Sequence, residues 1–314
     1  YIPGDPSDDT PFDISVVNIE ENGEKDPINY ILPPGIDRQQ TPSSNTTLRQ
    51  LNEQALLLKV CDLADGDARA AFKNTEFDIR SYKKLKMFIH AEAIDPHILN
   101  DDDVTVFLRL GTDFDNNYYE YEVPLTVTPV GDYSSDLSSD RYDVWPLLNN
   151  IEIEFTELTN VKQQRNRDLV SNPEVSITKR YQTEHGPRNT ITIKGNPNLA
   201  NIKSMIIGIR NPKKVNAHDG DDGLAKCVEV WVNELRLTDF DNKGGWATTG
   251  QVNVKLADFS TLNGAADYTK FGFGAFDSKP SERNRESVAN YDLSAQIKLG
   301  MFFPKKLGIN VPMY

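Results

Sequence analysis

In QVNVKLADF, residues 251–259, apolar side chains alternate with polar ones from the first residue to Leu256. That two-residue period belongs to an extended strand with one apolar and one wet face. A helix would instead repeat its apolar positions at three and four residues. YDLSAQIKLGMFF (291–303) repeats the pattern, with Leu293, Ala295, Ile297, Leu299, Met301 and Phe303 opposing Asp292, Ser294, Gln296, Lys298 and Gly300. DYTKFGFGAF (267–276) sets Phe271, Phe273 and Ala275 against Tyr268, Lys270, Gly272 and Gly274. LGINVPMY (307–314) adds Leu307, Ile309, Val311 and Met313. Four such strands, 246–259, 265–276, 289–303 and 307–314, follow one another with no helix to cover their apolar faces.

Aromatic residues (Trp246, Phe259, Tyr291, Phe302, Phe303, Tyr314) cluster at the ends of these strands. Long alternating strands with aromatic ends are the pattern of a membrane β-barrel, and a soluble sheet packed on one face is the competing reading. On the barrel reading, Val252, Val254, Leu256, Phe271, Phe273, Leu293, Ile297, Leu299 and Met301 face lipid. Four strands cannot close a barrel, so residues 244–314 are expected to be part of a larger one. The loops predict an orientation. STLNG joins the first two strands and PKK the last two, whereas the charged DSKPSERNRESV lies between the second and third. Outer-membrane barrels have short periplasmic turns and longer outside loops, which puts the long loop and everything before the first strand on the extracellular side.

The preceding residues are organised differently. Residues 1–50 are rich in Pro, Asp, Asn, Ser and Thr and read as an extended arm or linker, with FDISVVNI (12–19) as its one strand-like piece. From 51 to 243 short strands succeed one another: QALLLKV, KKLKMFIHAEA, DVTVFLRLG, YYEYEVPLTV, NIEIEF, EVSITKR, NTITIKG, SMIIGIRN and CVEVWVNELRL. EVSITKR and NTITIKG read as a long hairpin bridged by YQTEHGPR. Helix is expected only at 65–72 (DGDARAAF) and 156–167 (TELTNVKQQRNR). Many strands with little helix predict a mainly β chain, here a jelly-roll-like β-sandwich followed by antiparallel transmembrane strands.

Charge narrows the partners. The chain of 314 residues carries a net charge of −13 and a mean hydropathy of −0.53. Residues 246–314 hold eight basic and six acidic side chains, which leaves −15 for residues 1–245. An acidic head argues against nucleic acid as a partner. No apolar run approaches the ~20 residues of a membrane-spanning helix, which does not bear on a β-barrel. The chain begins at Tyr1 without a leader, as a mature, excised or fragmentary chain would.

Candidate chemistry is sparse. Glu234, in VEVWVNELRL (228–237), follows Asn233 at the end of a strand, as the acid of many barrel glycosidases does. No βα repeat surrounds it, however. Val228, Val230 and Val232 share one face and Trp231, Leu235 and Leu237 the other, so the Asn-Glu pair reads as a bulge or strand end where polar side chains leave the core. No nucleophile elbow, phosphate loop or paired histidines occur, and neither catalysis nor a cofactor is expected. Three acidic loops resemble calcium loops in part: Asp239 and Asp241 in DFDNKG, Asp113 and Asp115 in DFDNN, and HDGDDG at 218–223. The first two lack later ligands and the third, which could bind calcium irregularly, needs no ion as a solvated loop, so none is expected to hold one. Cys61 and Cys227, in LLLKVC and KCVEVW, are either two buried thiols or a disulfide between the first and last strands of the sandwich. The bridge would contribute about 4–5 kcal/mol. Tyr118, Tyr119 and Tyr121 are the candidates for a sugar-binding face, the alternative function being a secreted carbohydrate-binding module.

Several phrases resemble the SprA/Sov family: NEQALLLKVCDLADGDARAAFKN, IRSYKKLKMFIHAEA, FLRLGTDFDNNYYEYEVPL, VWP, NIKSMIIGIRNP and VEVWVNELRLTDFDNKGGWA. The resemblance covers residues 30–314, and its most specific part is VWVNELRL with GGWA joined to alternating strands. It implies the outer-membrane translocon of the type IX secretion system and gliding motility in Bacteroidetes, and a chain that is an internal piece of a longer protein. It further implies a pore passing folded cargo that bears C-terminal secretion domains. The partners it implies are outer-membrane lipid, the rest of the translocon barrel, a small barrel protein that shuttles cargo, a periplasmic plug protein and the secreted cargo. Residues 51–243 would then be an extracellular cap and 246–314 wall strands.

Overall fold

The computed structural model describes residues 10–42, 48–218, 220–240, 244–276, 282–284, 286–308 and 311–313. The chain is mainly β and divides into two units, Tyr1–Asp239 and Phe240–Tyr314, a few residues before the expected 243/244 boundary.

Unit 1 contains β1 (Phe12–Asn18), β2 (Gln40–Pro42), β3 (Leu48–Gln50), β4 (Gln54–Leu63), β5 (Ala68–Phe77), β6 (Lys84–Ala93), β7 (Thr105–Gly111), β8 (Tyr118–Pro124), β9 (Ile151–Glu154), β10 (Tyr181–His185), β11 (Asn189–Lys194), β12 (Ile202–Arg210) and β13 (Lys226–Thr238). Its helices are α1 (Ile19–Asn22), α2 (Ser138–Val144) and α3 (Phe155–Ser171). Two large antiparallel sheets form, in the orders β1-β4-β13-β6-β9 and β10-β11-β8-β7-β12-β5, and β2 pairs with β3 in a separate two-stranded sheet. Alternate residues of both sheets meet in one core: Leu58, Val60, Ile89, Ala91, Val228 and Val230 from the first, Val106, Leu108, Tyr119, Tyr121, Ile207 and Ile209 from the second. α3 adds Phe155, Leu158 and Val161 to this core from one helical face.

The central strands of the first sheet are covered on both sides, which explains the unbroken apolar run ALLL in β4. Leu58 and Val60 enter the main core, while Ala55 and Leu57 join a second cluster with Val17, Ile28, Tyr30, Ile31, Val144, Trp145 and Trp231. This second cluster corrects the reading of residues 1–50 as an arm over residues 12–32, where the expected strand FDISVVNI forms β1; residues 1–9 and 43–47 lie outside the described residues. β1 pairs in register with β4 (Val17 opposite Ala55), and Ile28, Tyr30, Ile31 and Leu32 are buried. Proline and aspartate dominate the composition there, but short apolar segments between them are enough to cover a sheet face.

Two further expectations are overturned. Residues 65–72 do not form a helix, because β5 runs from Ala68 and pairs with β12, Ala70 opposite Gly208 and Phe72 opposite Ile206. Helix propensity in ARAAF loses to a full ladder of cross-strand hydrogen bonds. A methyl group at Gly208 would approach the Phe107 ring to 2.6 Å and the Ala70 side chain to 2.5 Å, so glycine makes this close pairing possible. EVSITKR is likewise not a strand; YQTEH (β10) pairs with β11 instead, turning at Gly186.

Unit 2 is an antiparallel sheet in the order β14 (Ala247–Leu256), β15 (Ser260–Thr269), β16 (Val288–Lys298) and β17 (Pro312–Met313), open among the described residues. Its first turn is Ala257–Phe259, so STLNG, read as a loop, begins β15.

Truncation tests which positions carry the core of unit 1. Ile89→Ala, at a fully buried site in the centre of the first sheet, is expected to lower the unfolding free energy by about 2–5 kcal/mol. Phe72→Ala, on the opposite sheet and 66% exposed, should change it by under about 0.5 kcal/mol beyond the loss of its contact with Phe114. Urea melts of the two variants against the parent chain measure the difference.

Candidate membrane-facing surface and buried ionic clusters

The register of unit 2 sorts its side chains onto two faces. Val252 lies opposite Gly264, which lies opposite Leu293. The next rows are Val254, Leu262 and Ala295, then Leu256, Ser260 and Ile297, with Met313 beyond Ile297. The apolar positions of these rows therefore share one face, and most are exposed, Leu293 at 84% and Val252 at 62%; Ala247, Ala265 and Val288 fall on the other face. The opposite face carries Gln251 and Asp292, Asn253, Asn263 and Ser294, and Lys255, Thr261 and Gln296. A transverse ladder crosses it: Asn253 Nδ2 donates to Asn263 Oδ1 at 2.7 Å, and Asn263 Nδ2 donates to Ser294 Oγ at 3.3 Å. Asn290 Nδ2 donates to Asp267 Oδ2 at 2.8 Å beside them.

Aromatic pairs stand at both ends of the strands, Trp246 with Tyr268 (ring centroids 5.0 Å) and Phe259 with Phe302 (5.3 Å). The strands β14 and β15 are 10 residues each and β16 is 11. Strands of about 9–11 residues, tilted by about 45°, span a bilayer's apolar layer. Five of the nine expected lipid-facing residues, Val252, Val254, Leu256, Leu293 and Ile297, fall on the one apolar strand face. The other four do not lie in strands. Phe271 and Phe273 follow the end of β15 in a turn and coil, and Leu299 and Met301 belong to a short 3-10 helix, Leu299–Phe302. Alternation continues past the last ladder bond in the sequence, and pairing, not period, sets where a strand stops.

Among the described residues, unit 1 holds three buried ionic clusters that sequence reading missed, beside the exposed pairs of Lys84 and Lys86 with Glu152 and Glu154. On the outer face of the second sheet, Glu120 is buried and bound by Arg109 (2.7 and 2.9 Å), Arg180 (2.6 Å) and Arg210 (3.1 Å). Arg210 also pairs with Glu122, whose carboxylate accepts from Thr105 Oγ1 at 2.5 Å. The guanidinium of Arg109 stacks over Tyr118 at 4.0 Å and that of Arg210 over Phe107 at 4.6 Å. Burial pushes the Glu120 carboxyl up, but the charges of Arg210, Arg180 and Arg109 outweigh it and hold it below the usual carboxylate range.

The second cluster lies on the outer face of the first sheet, where Lys25 Nζ reaches Glu92 at 2.5 Å and Glu229 at 2.6 Å. Trp231 Nε1 donates to Glu229 at 2.9 Å, and His90 stacks on Trp231 with centroids 3.9 Å apart. His90 Nδ1 lies 2.8 Å from the Val144 carbonyl. Burial raises the Glu92 carboxyl, while the hydrogen bond and charge of His90 and the charge of Lys25 together take it below its ordinary value. Lys25 thus pins the segment after α1 to the sheet. The signal for both clusters was present as charged residues at strand positions between apolar neighbours, in EYE, HAEA and VEVW.

The third cluster includes part of the acidic loop at 218–223, of which residue 219 lies outside the described residues. Lys226 Nζ sits 3.0 Å from Asp103 and 2.8 Å from Asp222, and His218 Nε2 is 3.2 Å from Asp103. Lys226 is thus the shared counter-ion of Asp103 and Asp222. Asp113 uses Oδ1 to accept the N–H groups of Asp115, Asn116 and Asn117, and Oδ2 accepts from Asn117 Nδ2 at 2.6 Å. Its carboxylate closes a turn. Asp115 is exposed beside it, Asp239 lies just past β13, and Asp241 falls outside the described residues.

Glu234 sits on a β-bulge with φ 54°, where the β13–β6 register shifts between Asn233 and Arg236. Its carboxylate lies 3.5 Å from Arg236. Asn233 does not leave the core: its Nδ2 donates to Tyr30 OH at 3.0 Å and Glu53 at 2.8 Å, tying β13 to the N-terminal segment. Tyr118, Tyr119 and Tyr121 are buried and present no aromatic platform for a sugar. The Sγ atoms of Cys61 and Cys227 are joined in a disulfide.

Residues 2–314 match the family SprA_N, described as motility related/secretion protein, and the chain belongs to that family. No curated protein matches it.

Two outcomes are expected for the Lys25 cluster. Lys25→Met leaves two buried carboxylates without their ammonium and should cost about 2–4 kcal/mol, below the ceiling for a fully buried pair because Lys25 is partly exposed. Glu92 and Glu120 are both depressed, so the folded state binds fewer protons than the unfolded one near pH 4. Their stabilisation is complete above about pH 5 and is lost as pH falls through the folded values. Thermal melts should be flat from pH 7 to about 5 and fall below about pH 4, with a smaller fall for Glu92→Gln.

Proposed function

We propose that this chain contributes a cap and part of the wall to a protein-conducting channel of the outer membrane, without catalysis and without a cofactor. The observation that carries the reading is the register of unit 2, which collects most of the exposed apolar side chains on one face and an amide-rich ladder on the other. A sheet so divided suits a barrel wall with lipid outside and an aqueous lumen within. Membership in a motility and secretion family supports a cell-envelope location. No described helix is long and apolar enough to cross a membrane, so strands would have to do the crossing.

Unit 1 supports the cap. Its strands pair first with last (β4 with β13) and second with next-to-last (β5 with β12), and β6 and β7 flank these pairs in their respective sheets. We read this nesting as a jelly roll, to which β1 and the β10–β11 hairpin add edge strands. The tail keeps the loop asymmetry only in part: three residues join β14 to β15 and a long segment, 270–287, joins β15 to β16, but the short turn expected at PKK is instead a connection over 299–311, and the fourth strand shrinks to Pro312–Met313. By the rule for such barrels the long loop and unit 1 lie outside the cell. The cargo would be folded proteins with C-terminal secretion domains. The partners would be the rest of the barrel, a smaller barrel that receives cargo and a periplasmic plug.

Three experiments test this. The whole chain should require detergent or lipid to stay dispersed, while residues 1–239 should not; a whole chain equally soluble in plain buffer ends the membrane assignment. Within it, Leu293→Arg should destabilise the lipid-inserted form by about 2–4 kcal/mol, and Asn253→Arg, on the other face, by much less. In intact cells, external protease should cut unit 1, and protection until the outer membrane is breached would reverse the orientation.

A further inference from the structure

Both cysteines and one histidine meet at one corner of unit 1. In the β4–β13 ladder Lys226 pairs with Leu63 and Val228 with Val60. Cys227 alone therefore faces Cys61 and Asp62, and Asp62 adopts φ 54° where the extra residue is absorbed. The bulge directs Cys61 Sγ at Cys227 Sγ and brings the Asp62 N–H to 3.4 Å from Cys227 Sγ. The loop after β6 closes through the His97 N–H to the Ile94 carbonyl at 2.8 Å, and it carries the His97 ring to the same corner. One ring nitrogen of His97 and the two sulfurs all lie within 4.8 Å of one another.

We propose that Cys61, Cys227 and His97 form a redox-gated site for a soft or borderline metal ion, Zn²⁺ being the best fit. In the oxidised chain the sulfurs are bonded to each other and the site is closed. A dithiol reductant opens it: two electrons and two protons convert the disulfide to two thiols, and the reductant leaves as its own disulfide. A divalent ion then displaces both thiol protons and takes two thiolates and the His97 imidazole as ligands. Zn–S bonds of about 2.3 Å and Zn–N bonds of about 2.0–2.1 Å place tetrahedral ligands about 3.3–3.8 Å apart. The donors stand within reach of that spacing once the sulfurs part by side-chain rotation. The Asp62 N–H supports a thiolate on Cys227, which is buried, and His97 is exposed, which leaves a path for the ion and a fourth position for water. The third ligand was not visible in the sequence, because His97 is far from both cysteines along the chain and only the sheet unites them.

The test uses the whole chain, oxidised or reduced with a dithiol that is then removed under nitrogen, and Cd²⁺ as the spectroscopic stand-in for Zn²⁺. The reduced chain should bind one Cd²⁺ with an ultraviolet thiolate-to-metal charge-transfer band, and Zn²⁺ should compete it away. The oxidised chain should give no band. His97→Ala leaves the disulfide intact, so it folds as the parent does, and should weaken Cd²⁺ binding by about tenfold or more after reduction. Cys61→Ser should abolish the band; if that variant fails to fold, His97→Ala carries the test alone. No band in the reduced parent, or a band and affinity that His97→Ala leaves unchanged, overturns the site.

Discussion

The pairing of β13 between β4 and β6 is the constraint on which unit 1 depends. Its inward side chains, Val228, Val230 and Val232, fill the core between the two sheets. Its outward ones, Glu229, Trp231 and Asn233, organise the layer formed by the N-terminal segment, and Trp231 is wholly buried there. A one-residue slip of this strand would exchange the two sets and put a tryptophan and a carboxylate into the valine positions. The Asn233–Arg236 bulge limits that exchange to one stretch, after which the strand continues to Thr238 with its faces reset.

Polar groups on the outward face are satisfied in ways that tie remote segments together. Lys25 neutralises two carboxylates from neighbouring strands, and Asn233 joins Tyr30 and Glu53. Buried charge of this kind is weak as a source of net stability, since desolvation opposes the attraction. It is selective, however: an arrangement that does not bring Lys25 to Glu92 and Glu229 leaves both uncompensated. The same logic holds for Glu120 among its three arginines, where the ionic ladder spans β7, β8 and β12.

Unit 2 rests on the opposite arrangement. Its apolar side chains are exposed together, and its polar ones are bonded to each other across the strands. In water this exposure is unfavourable along the whole face, and in lipid it is the favourable surface. The amide ladder needs no charge to hold the strands in register, which leaves the polar face nearly neutral.

Alternation in the sequence determined that the chain is β, which residues of β14 and β16 share a face, and that the tail differs from the head. It also determined that Val228, Val230 and Val232 point one way and Trp231 the other, because the side-chain period of a strand is local geometry. Tertiary structure decided what local pattern cannot carry. Ala68–Phe72 became a strand because β12 lay beside it, and Phe271, Phe273, Leu299 and Met301 left the sheet because pairing ended before alternation did. Ile28–Leu32 became core because a sheet face needed covering. The ionic clusters and the meeting of Cys61, Cys227 and His97 were illegible for the same reason. Each joins residues distant in sequence, and their proximity is a property of strand order, which no local period encodes.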